Sequence, residues 1–191
     1  MALADALRDW ERSWADTGAP VDELLAPGIT ADQVRAALGG DRVHADVITW
    51  FGWHNGGLGD TWDAAPTGRW LCNVAWSVRE REALRETIEM WERDGVDVHF
   101  RDSYLPLLTN SDVRIVFVDQ DTGVIYRWDD GGWSNRYPQM ILQVAPDLET
   151  MVRTWTQVMG QVRPTYRPGQ VVFEFDSSLA PRDLIEQDVV A

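Results

Sequence analysis

The histidines and the single cysteine are the side chains best suited to metal or nucleophilic chemistry, and their spacing predicts neither. Of the three histidines (His44, His54 and His99), no two have the i, i+4 spacing of a helical metal site, and none lies beside a cysteine. Cys72 is alone, which excludes an intrachain disulfide and a cysteine-based zinc site. Its apolar surroundings favour a buried packing residue over a nucleophile. Structural roles are therefore expected for all four residues.

An acidic segment at 119–123 resembles the beginning of a calcium-binding loop. Such a loop requires glycine at its sixth position and glutamate at its twelfth, but Val124 stands at the sixth and no glutamate follows at the twelfth. Aspartate and glycine are also the residues that tight β-hairpin turns require. The segment is therefore predicted to be a hairpin turn, and so is the similar segment at 129–132.

Several enzyme classes are excluded by composition and motif. All 17 basic residues are arginines, so the chain has no lysine for a phosphate-binding loop, a Schiff base or a Ser-Lys dyad. The glycines at 56–59 lack the spacing of a dinucleotide fingerprint, and no G-x-S-x-G motif is present. With 31 acidic residues, any proposed acid–base pair would be arbitrary. No catalytic residue, metal or cofactor is predicted, and the chain is expected not to be an enzyme.

The net charge of −14 bears on the class of partner. Nucleic acids and anionic membranes both require a basic surface, so neither is expected to bind directly. An acidic surface suits solubility alone, or a basic protein partner whose approach it accelerates. A membrane-spanning helix needs about 20 consecutive apolar residues, and no apolar run in the sequence is nearly that long. The N-terminal residues lack the apolar core of a signal peptide. A cytoplasmic protein is expected.

Hydrophobic periodicity predicts helices first and most strands later. Apolar residues recur every three to four positions in the expected helices, which lie at 2–16, 21–25, 30–38, 45–55, 77–94 and 147–159. Thr30 with Gln33, and Ser77 with Glu80, are predicted capping boxes. Strands are expected at 69–76, 113–118, 124–128, 140–145 and 171–175. This order predicts an α+β fold in a single domain.

Eleven tryptophans are unusually many for a chain of 191 residues. Five lie on apolar helical stripes and are expected in the core, namely Trp10, Trp14, Trp50, Trp91 and Trp155. Four others lie near predicted turns, where burial is less assured, namely Trp53, Trp62, Trp128 and Trp133. An exposed tryptophan beside aspartate is typical of a protein-binding hot spot or a sugar-binding platform.

The order of motifs over residues 20–160 resembles the SUKH superfamily, of the Smi/Knr type. A helix ending in Asn-Gly-Gly at 55–57 is followed by a strand and a Ser-capped helix at 70–91. An aromatic-x-Pro element, a strand ending in aspartate, a glycine turn and a second strand follow at 104–128, and a closing helix lies within 144–159. The chain departs from the family in having Tyr104 in place of tryptophan, His44-Ala45 in place of Leu-Pro, and Ser111-Asp112 in place of a Gly-rich turn.

The resemblance implies a fold and a class of function. A central, mainly antiparallel sheet flanked by helices would span residues 20–160, with a helical extension at 1–19. The extension at 161–191 has no clear counterpart in the family, and its own pattern predicts one strand at 171–175 and a short helical turn near 181–187. Most bacterial proteins of this family look like immunity proteins, which bind and block polymorphic or contact-dependent toxin domains, often nucleases, whereas fungal relatives act in cell-wall signalling. The family offers no established catalytic residues.

Three hypotheses follow from these patterns. The first is a non-enzymatic immunity protein that neutralises a cognate, basic toxin by stoichiometric binding. The second is an intracellular scaffold or regulator of the same fold with a non-toxin client, and the third is a glycan-binding or hydrolytic protein. Two acidic, tryptophan-containing patches are the predicted partner-binding residues, namely Asp60, Trp62 and Asp63, and Asp129, Asp130 and Trp133. The oligomeric state is not predicted.

Truncating the patch tryptophans tests this prediction. Trp62→Ala and Trp133→Ala should each weaken toxin binding without lowering the melting temperature, because an interface tryptophan contributes to the complex and not to the core. Calorimetric titration and thermal unfolding of the same samples separate the two effects. A large loss of thermal stability would place these side chains in the core instead.

Overall fold

A computed structural model describes residues 2–40, 42–58, 70–95, 100–109, 114–129, 140–162, 165–167 and 170–174. Its helices are α1 (Leu3–Ala15), α2 (Val21–Leu24), α3 (Ala31–Leu38), α4 (Ala45–Trp53), α5 (Val74–Arg93) and α6 (Leu148–Val162). Its strands are β1 (Leu25–Pro27), β2 (His54–Gly57), β3 (Trp70–Leu71), β4 (Tyr104–Thr109), β5 (Arg114–Asp119), β6 (Ile125–Asp129), β7 (Met140–Ala145), β8 (Thr165–Arg167) and β9 (Gln170–Glu174).

A five-stranded antiparallel sheet is the centre of the fold. Its order is β3-β4-β5-β6-β7, so consecutive strands are neighbours throughout. Two small antiparallel pairs, β1 with β2 and β8 with β9, lie outside this sheet. Helices and antiparallel strands together confirm the predicted α+β fold.

Both faces of the sheet are covered, as the side chains of β5 show. Ile115 and Phe117 pack with Leu84 and Ile88 of α5 on one face. The alternating residues of β5 point to the other face and join the larger core cluster, which contains residues of α1, α4 and α6. Because successive side chains of a strand point to opposite faces, a strand covered on both sides is apolar throughout. This explains the continuous apolar run at 115–118.

Tryptophan side chains join three helices in the larger core cluster. Trp10 lies 5.5 Å from Trp14 in an edge-to-face arrangement and 5.5 Å from Trp155 of α6, measured between ring centroids. Trp155 in turn lies 6.3 Å from Trp50 of α4. All four are buried, which confirms their predicted place in the core. Edge-to-face pairs of this kind add about 0.5–1.5 kcal/mol each beyond the burial of apolar area.

Two further tryptophans form a contact on the other face of the sheet. Trp91 of α5 is half-buried and lies 5.5 Å from Trp128 of β6. Trp128, whose burial the sequence leaves open, is fully buried because the strand register pairs it with Ile115, whose side chain faces α5. Pairing across strands, and not the neighbouring turn, decides the burial of this residue.

The start of α5 differs from the sequence-based expectation. A strand over 69–76 with a helix cap at Ser77 is wrong, because β3 contains two residues and Asn73 is the N-cap. The Asn73 side chain accepts a hydrogen bond from the Trp76 backbone N–H at 2.8 Å. Ser77 lies inside the helix, and its hydroxyl donates to the Asn73 carbonyl at 3.1 Å. An asparagine competes well for the N-cap, and a serine within a helix can bond back to the preceding turn.

The segment after α4 also differs, because the predicted helix over 45–55 ends at Trp53 and residues His54–Gly57 form β2. Asn55 accepts a hydrogen bond from the Val74 N–H at 2.9 Å and so binds the first turn of α5. Gly56 has a φ of +88°, and a Cβ there would lie 2.7 Å from the Asn73 nitrogen. The Asn-Gly pair therefore holds β2 against the first turn of α5, in addition to following the end of α4.

Strand β4 is absent from the sequence-based expectations, and Pro106 explains why. Proline has no N–H for a sheet ladder and is rare in central strands. The pairing of β4 with β5 shifts register between Pro106 and Leu108, so the proline lies at an irregularity in the ladder. All six residues of β4 are buried.

Two alanine variants distinguish the observed cap from the predicted one. Asn73→Ala should lower the free energy of unfolding by about 1 kcal/mol, because it removes the acceptor for a helix N-terminal N–H. Ser77→Ala should cost less, since its hydroxyl only supplements a carbonyl that already accepts a helical bond. Urea denaturation of both variants gives the comparison. An equal or larger loss in Ser77→Ala would contradict the observed cap.

Candidate functional site

The six predicted partner-binding residues are the first candidates for a site. Asp129 is the last residue of β6, where its backbone pairs with Arg114 and Met140. The other five lie outside the described residues, namely Asp60, Trp62, Asp63, Asp130 and Trp133. Their role in binding stays a prediction.

A buried carboxylate lies at the end of β5. Asp119 accepts hydrogen bonds from the Asp121 backbone N–H at 3.0 Å and from the Arg101 guanidinium at 3.3 Å. Burial by itself would raise its pKa, but hydrogen bonds from the Ser103 side chain, the Asp121 N–H and the Thr122 side chain, together with the charge of Arg101, outweigh burial and lower the pKa. Asp119 is therefore an ionised, fully engaged carboxylate.

The segment that resembles a calcium loop forms the turn between β5 and β6, which confirms the predicted hairpin. The Asp119 carbonyl accepts from the Gly123 N–H at 2.7 Å, and Gly123 has a φ of +78°. A Cβ at this position would lie 2.8 Å from His44 Cε1, so a side chain here would collide with the imidazole ring. Within the described residues, no group of three or more His, Cys, Asp or Glu is arranged to hold a metal ion.

The contacts of His44 and Cys72 are those of structural residues. His44 is the N-cap of α4, and its Nδ1 accepts a hydrogen bond from the Asp46 N–H at 3.3 Å. Cys72 is buried, as predicted. Burial, reinforced by the nearby charge of Glu80, raises the pKa of its thiol far above the ordinary value. A thiol in this state is a poor nucleophile at neutral pH.

A second polar group connects α1 with β2. The Trp53 indole N–H donates to the Glu11 carboxylate at 2.9 Å, and the same oxygen lies 3.8 Å from His54 Nε2. His54 Nδ1 is 2.9 Å from the Ala26 carbonyl. Because a carbonyl only accepts, Nδ1 carries the proton and Nε2 faces Glu11. The His-Glu proximity resembles a proton-transfer pair, but each group has a structural partner, and the arrangement fastens α1 to the β1–β2 pair.

A shallow groove of about 600 Å³ lies along the outer side of α1, next to this group. Its lining mixes acidic and basic residues, including Arg8, Arg12, Asp22 and Glu23. Small-molecule sites are typically concave and mostly apolar, with a few converging polar groups. The groove has the volume of such a site but not its lining, so it is a weak candidate for ligand binding.

The outward face of α5 presents the largest exposed apolar side chains of any described helix. Trp76 is 36% exposed and Met90 is 51% exposed. The Arg79 guanidinium carbon lies 4.4 Å from the centroid of the Trp76 ring, in cation–π contact. Four glutamates are exposed on the same helix, namely Glu82, Glu86, Glu89 and Glu92.

Trp76 is a residue that sequence reasoning missed, because the expected strand over 69–76 includes it. The structure places it in the first turn of α5, where the helical repeat brings it onto the same side as Ala83 and Met90. The seven-residue spacing of these three residues was the signal in the sequence that could have placed Trp76 on a helix surface. Their charged neighbours instead favour a solvated face, which accounts for the glutamates but not for the tryptophan.

Replacing Asp119 tests the electrostatic account of its pKa. A carboxylate whose native pKa lies below its unfolded value of about 3.9 stabilises the fold above that pH, and the stabilisation is lost as the pH falls through the native pKa. Asp119→Asn should therefore cost about 1–3 kcal/mol at pH 7 and reduce the loss of stability between pH 5 and 3. Urea unfolding against pH measures both effects. Asp121→Asn, an exposed neighbour on the same turn, is the control and should change neither.

Comparison with known proteins assigns no family to the chain. No family model matches it, and a search of curated proteins finds no match. No helix of the described residues is long and apolar enough to cross a membrane. Membership of the SUKH superfamily therefore stays a prediction based on the motifs and their order.

Proposed function

We propose that this chain is a SUKH-type immunity protein that acts in the cytoplasm by binding and blocking a basic toxin domain. Binding is stoichiometric, and no covalent chemistry by the chain is required. Its partner is a protein, and neither nucleic acid nor a membrane is bound directly. The observation that carries this proposal is the placement of the excess negative charge.

Nearly all of the acidic side chains among the described residues reach solvent. Asp119 is the single buried carboxylate in that part of the chain, and it is engaged within the β5–β6 turn. The net charge of −14 therefore acts outward, as a field around the protein. A toxin that acts on nucleic acid must itself be basic, and a complementary field accelerates encounter and favours the correct partner.

Two further observations support a binding protein over an enzyme. Each polar group described above that contains a titratable side chain has a structural partner, as in the contacts of Glu11, His54 and Asp119. The antiparallel sheet with helices on both faces agrees with the fold that the motif order implies. A fold by itself does not fix function, so a scaffold with a non-toxin client is the alternative.

The immunity proposal requires a neighbouring gene that encodes a large secreted protein, and the decisive experiment uses the C-terminal domain of that protein. That domain should arrest growth when expressed alone, and co-expression with this chain should restore growth. The purified proteins should form a 1:1 complex whose association rate falls steeply with ionic strength. Neutralisation should be complete at one molar equivalent.

The stoichiometry separates binding from catalysis. Neutralisation by much less than one equivalent would indicate an enzyme that modifies or degrades the toxin. The absence of such a neighbouring gene, or of a complex with its product, would contradict the immunity proposal and favour a scaffold. A toxin domain of similar charge from an unrelated system is the control, and it should neither bind nor be neutralised.

A further inference from the structure

We infer that two copies of this chain pair through the outward face of α5, around a two-fold axis that makes the two helices antiparallel. The occupant of this face is therefore a second copy of the chain. Reciprocal contacts between Arg79 and Glu86 across the axis define the arrangement. The inference concerns the chain alone and does not depend on the identity of a toxin.

The outward face of α5 presents one continuous line of exposed side chains. Its members recur at alternating intervals of three and four residues, namely Trp76, Arg79, Ala83, Glu86, Met90 and Arg93. Residues with this spacing share one side of a helix, and such a line is the seam along which two helices pack side by side. Leu84 and Ile88 of the same helix are buried against the sheet, so the line points away from the core.

The charges on this line are mixed in sign, so they fit neither a purely acidic nor a purely basic surface. Arg93 already lies 3.9 Å from the Glu89 carboxylate. The Arg79 guanidinium carbon lies 4.4 Å from the centroid of the Trp76 ring. Within the described part of the chain, neither Arg79 nor Glu86 has an ion-pair partner. These two charges are about 10 Å apart along the helix, at 1.5 Å per residue, so they do not pair with each other.

A second copy in antiparallel orientation supplies a partner for both charges. The two-fold axis passes beside α5, level with the midpoint between Glu82 and Ala83. It sets Arg79 opposite Glu86 of the second copy and repeats the same contact in reverse. A planar guanidinium can stack on an aromatic face and still donate from its edge, so Arg79 keeps its contact with Trp76 while it binds the carboxylate.

Apolar contacts add to the two ion pairs. The same axis brings Trp76 next to Met90 of the second copy, where the thioether and the indole can make a sulfur–aromatic contact. The two Ala83 side chains meet beside the axis, and their small size allows the helices to approach closely. Both contacts cover apolar side chains that are exposed in the single chain.

Repulsion between the copies limits the strength of this dimer. The two Glu82 side chains meet on the other side of the axis, and their like charges oppose pairing. The net charge of −14 on each copy opposes it at longer range. One helix from each copy also gives an interface at the small end of the known range. A weak, reversible dimer is therefore expected, and it should tighten as added salt screens the repulsion.

Charge reversals in the chain alone test the pairing by sedimentation equilibrium. Arg79→Glu and Glu86→Arg each turn two attractive contacts into two repulsive ones, and each should weaken the dimer about 10-fold. An equimolar mixture of the two variants should recover the dimer, because opposite charges then face each other in both contacts between unlike copies. The double variant Arg79→Glu/Glu86→Arg should recover it as well.

Two further variants test the position of the axis and the effect of net charge. Glu82→Gln should tighten the dimer, because it removes the repulsion beside the axis. Glu92→Arg is the matched control, since Glu92 is exposed on the same helix about 120° around its axis from Glu86. It changes the net charge as much as Glu86→Arg does and should leave the dimer unchanged. Circular dichroism with thermal unfolding checks the fold of every variant.

The mixture is the outcome that decides. A dimer that each single reversal weakens and the mixture restores supports antiparallel pairing on α5. A wild-type chain that stays monomeric up to millimolar concentration would overturn the inference, and so would a dimer that neither reversal weakens. A loss that is not recovered in the mixture would also overturn it. Equal losses in Glu86→Arg and Glu92→Arg would do the same, because net charge alone would explain them.

Discussion

Tryptophan packing in the larger core cluster is the interaction on which the rest of the structure depends. Trp10, Trp50 and Trp155 belong to three different helices, and their rings meet at 5.5–6.3 Å on one face of the sheet. Large aromatic rings bury much apolar area and restrict how neighbouring helices can rotate. Once α1, α4 and α6 are fixed in this way, a single face of the sheet remains for α5.

The N-terminus of α5 is held from two directions, and this determines which side of the helix faces solvent. Asn73 caps the helix from its own chain, while Asn55 reaches it from β2. Gly56 allows the two backbones to approach closely. Fixing the first turn places Leu84 and Ile88 against the sheet and leaves Trp76 outside. The contacts of Asn73 and Asn55 with the first turn thus determine which side of α5 faces the sheet and which side faces solvent.

Placement of charge connects this architecture with function. The fold encloses one described carboxylate, Asp119, and satisfies it with four hydrogen-bonding and charged groups. The other described acidic residues whose exposure is given reach the surface, where together they provide an electrostatic field. The function we propose uses this field, because it would let the protein recognise a partner by complementarity of shape and charge. The polar group at Glu11 fastens α1 to the β1–β2 pair.

Local sequence determined much of the fold, because periodicity and capping act within a few residues. The stripe containing Trp10 and Trp14, the capping box at Thr30 and the hairpin turn at 119–123 all formed where the pattern predicts. Tertiary structure alone decided the features that depend on distant pairing. The burial of Trp128 follows from its partner across the sheet, β4 tolerates Pro106 at an irregular register, and Asn55 binds a helix 19 residues away. Trp76 lies in the first turn of α5 because Asn73, and not Ser77, caps this helix, and the second contact with that turn comes from Asn55, which no local pattern contains.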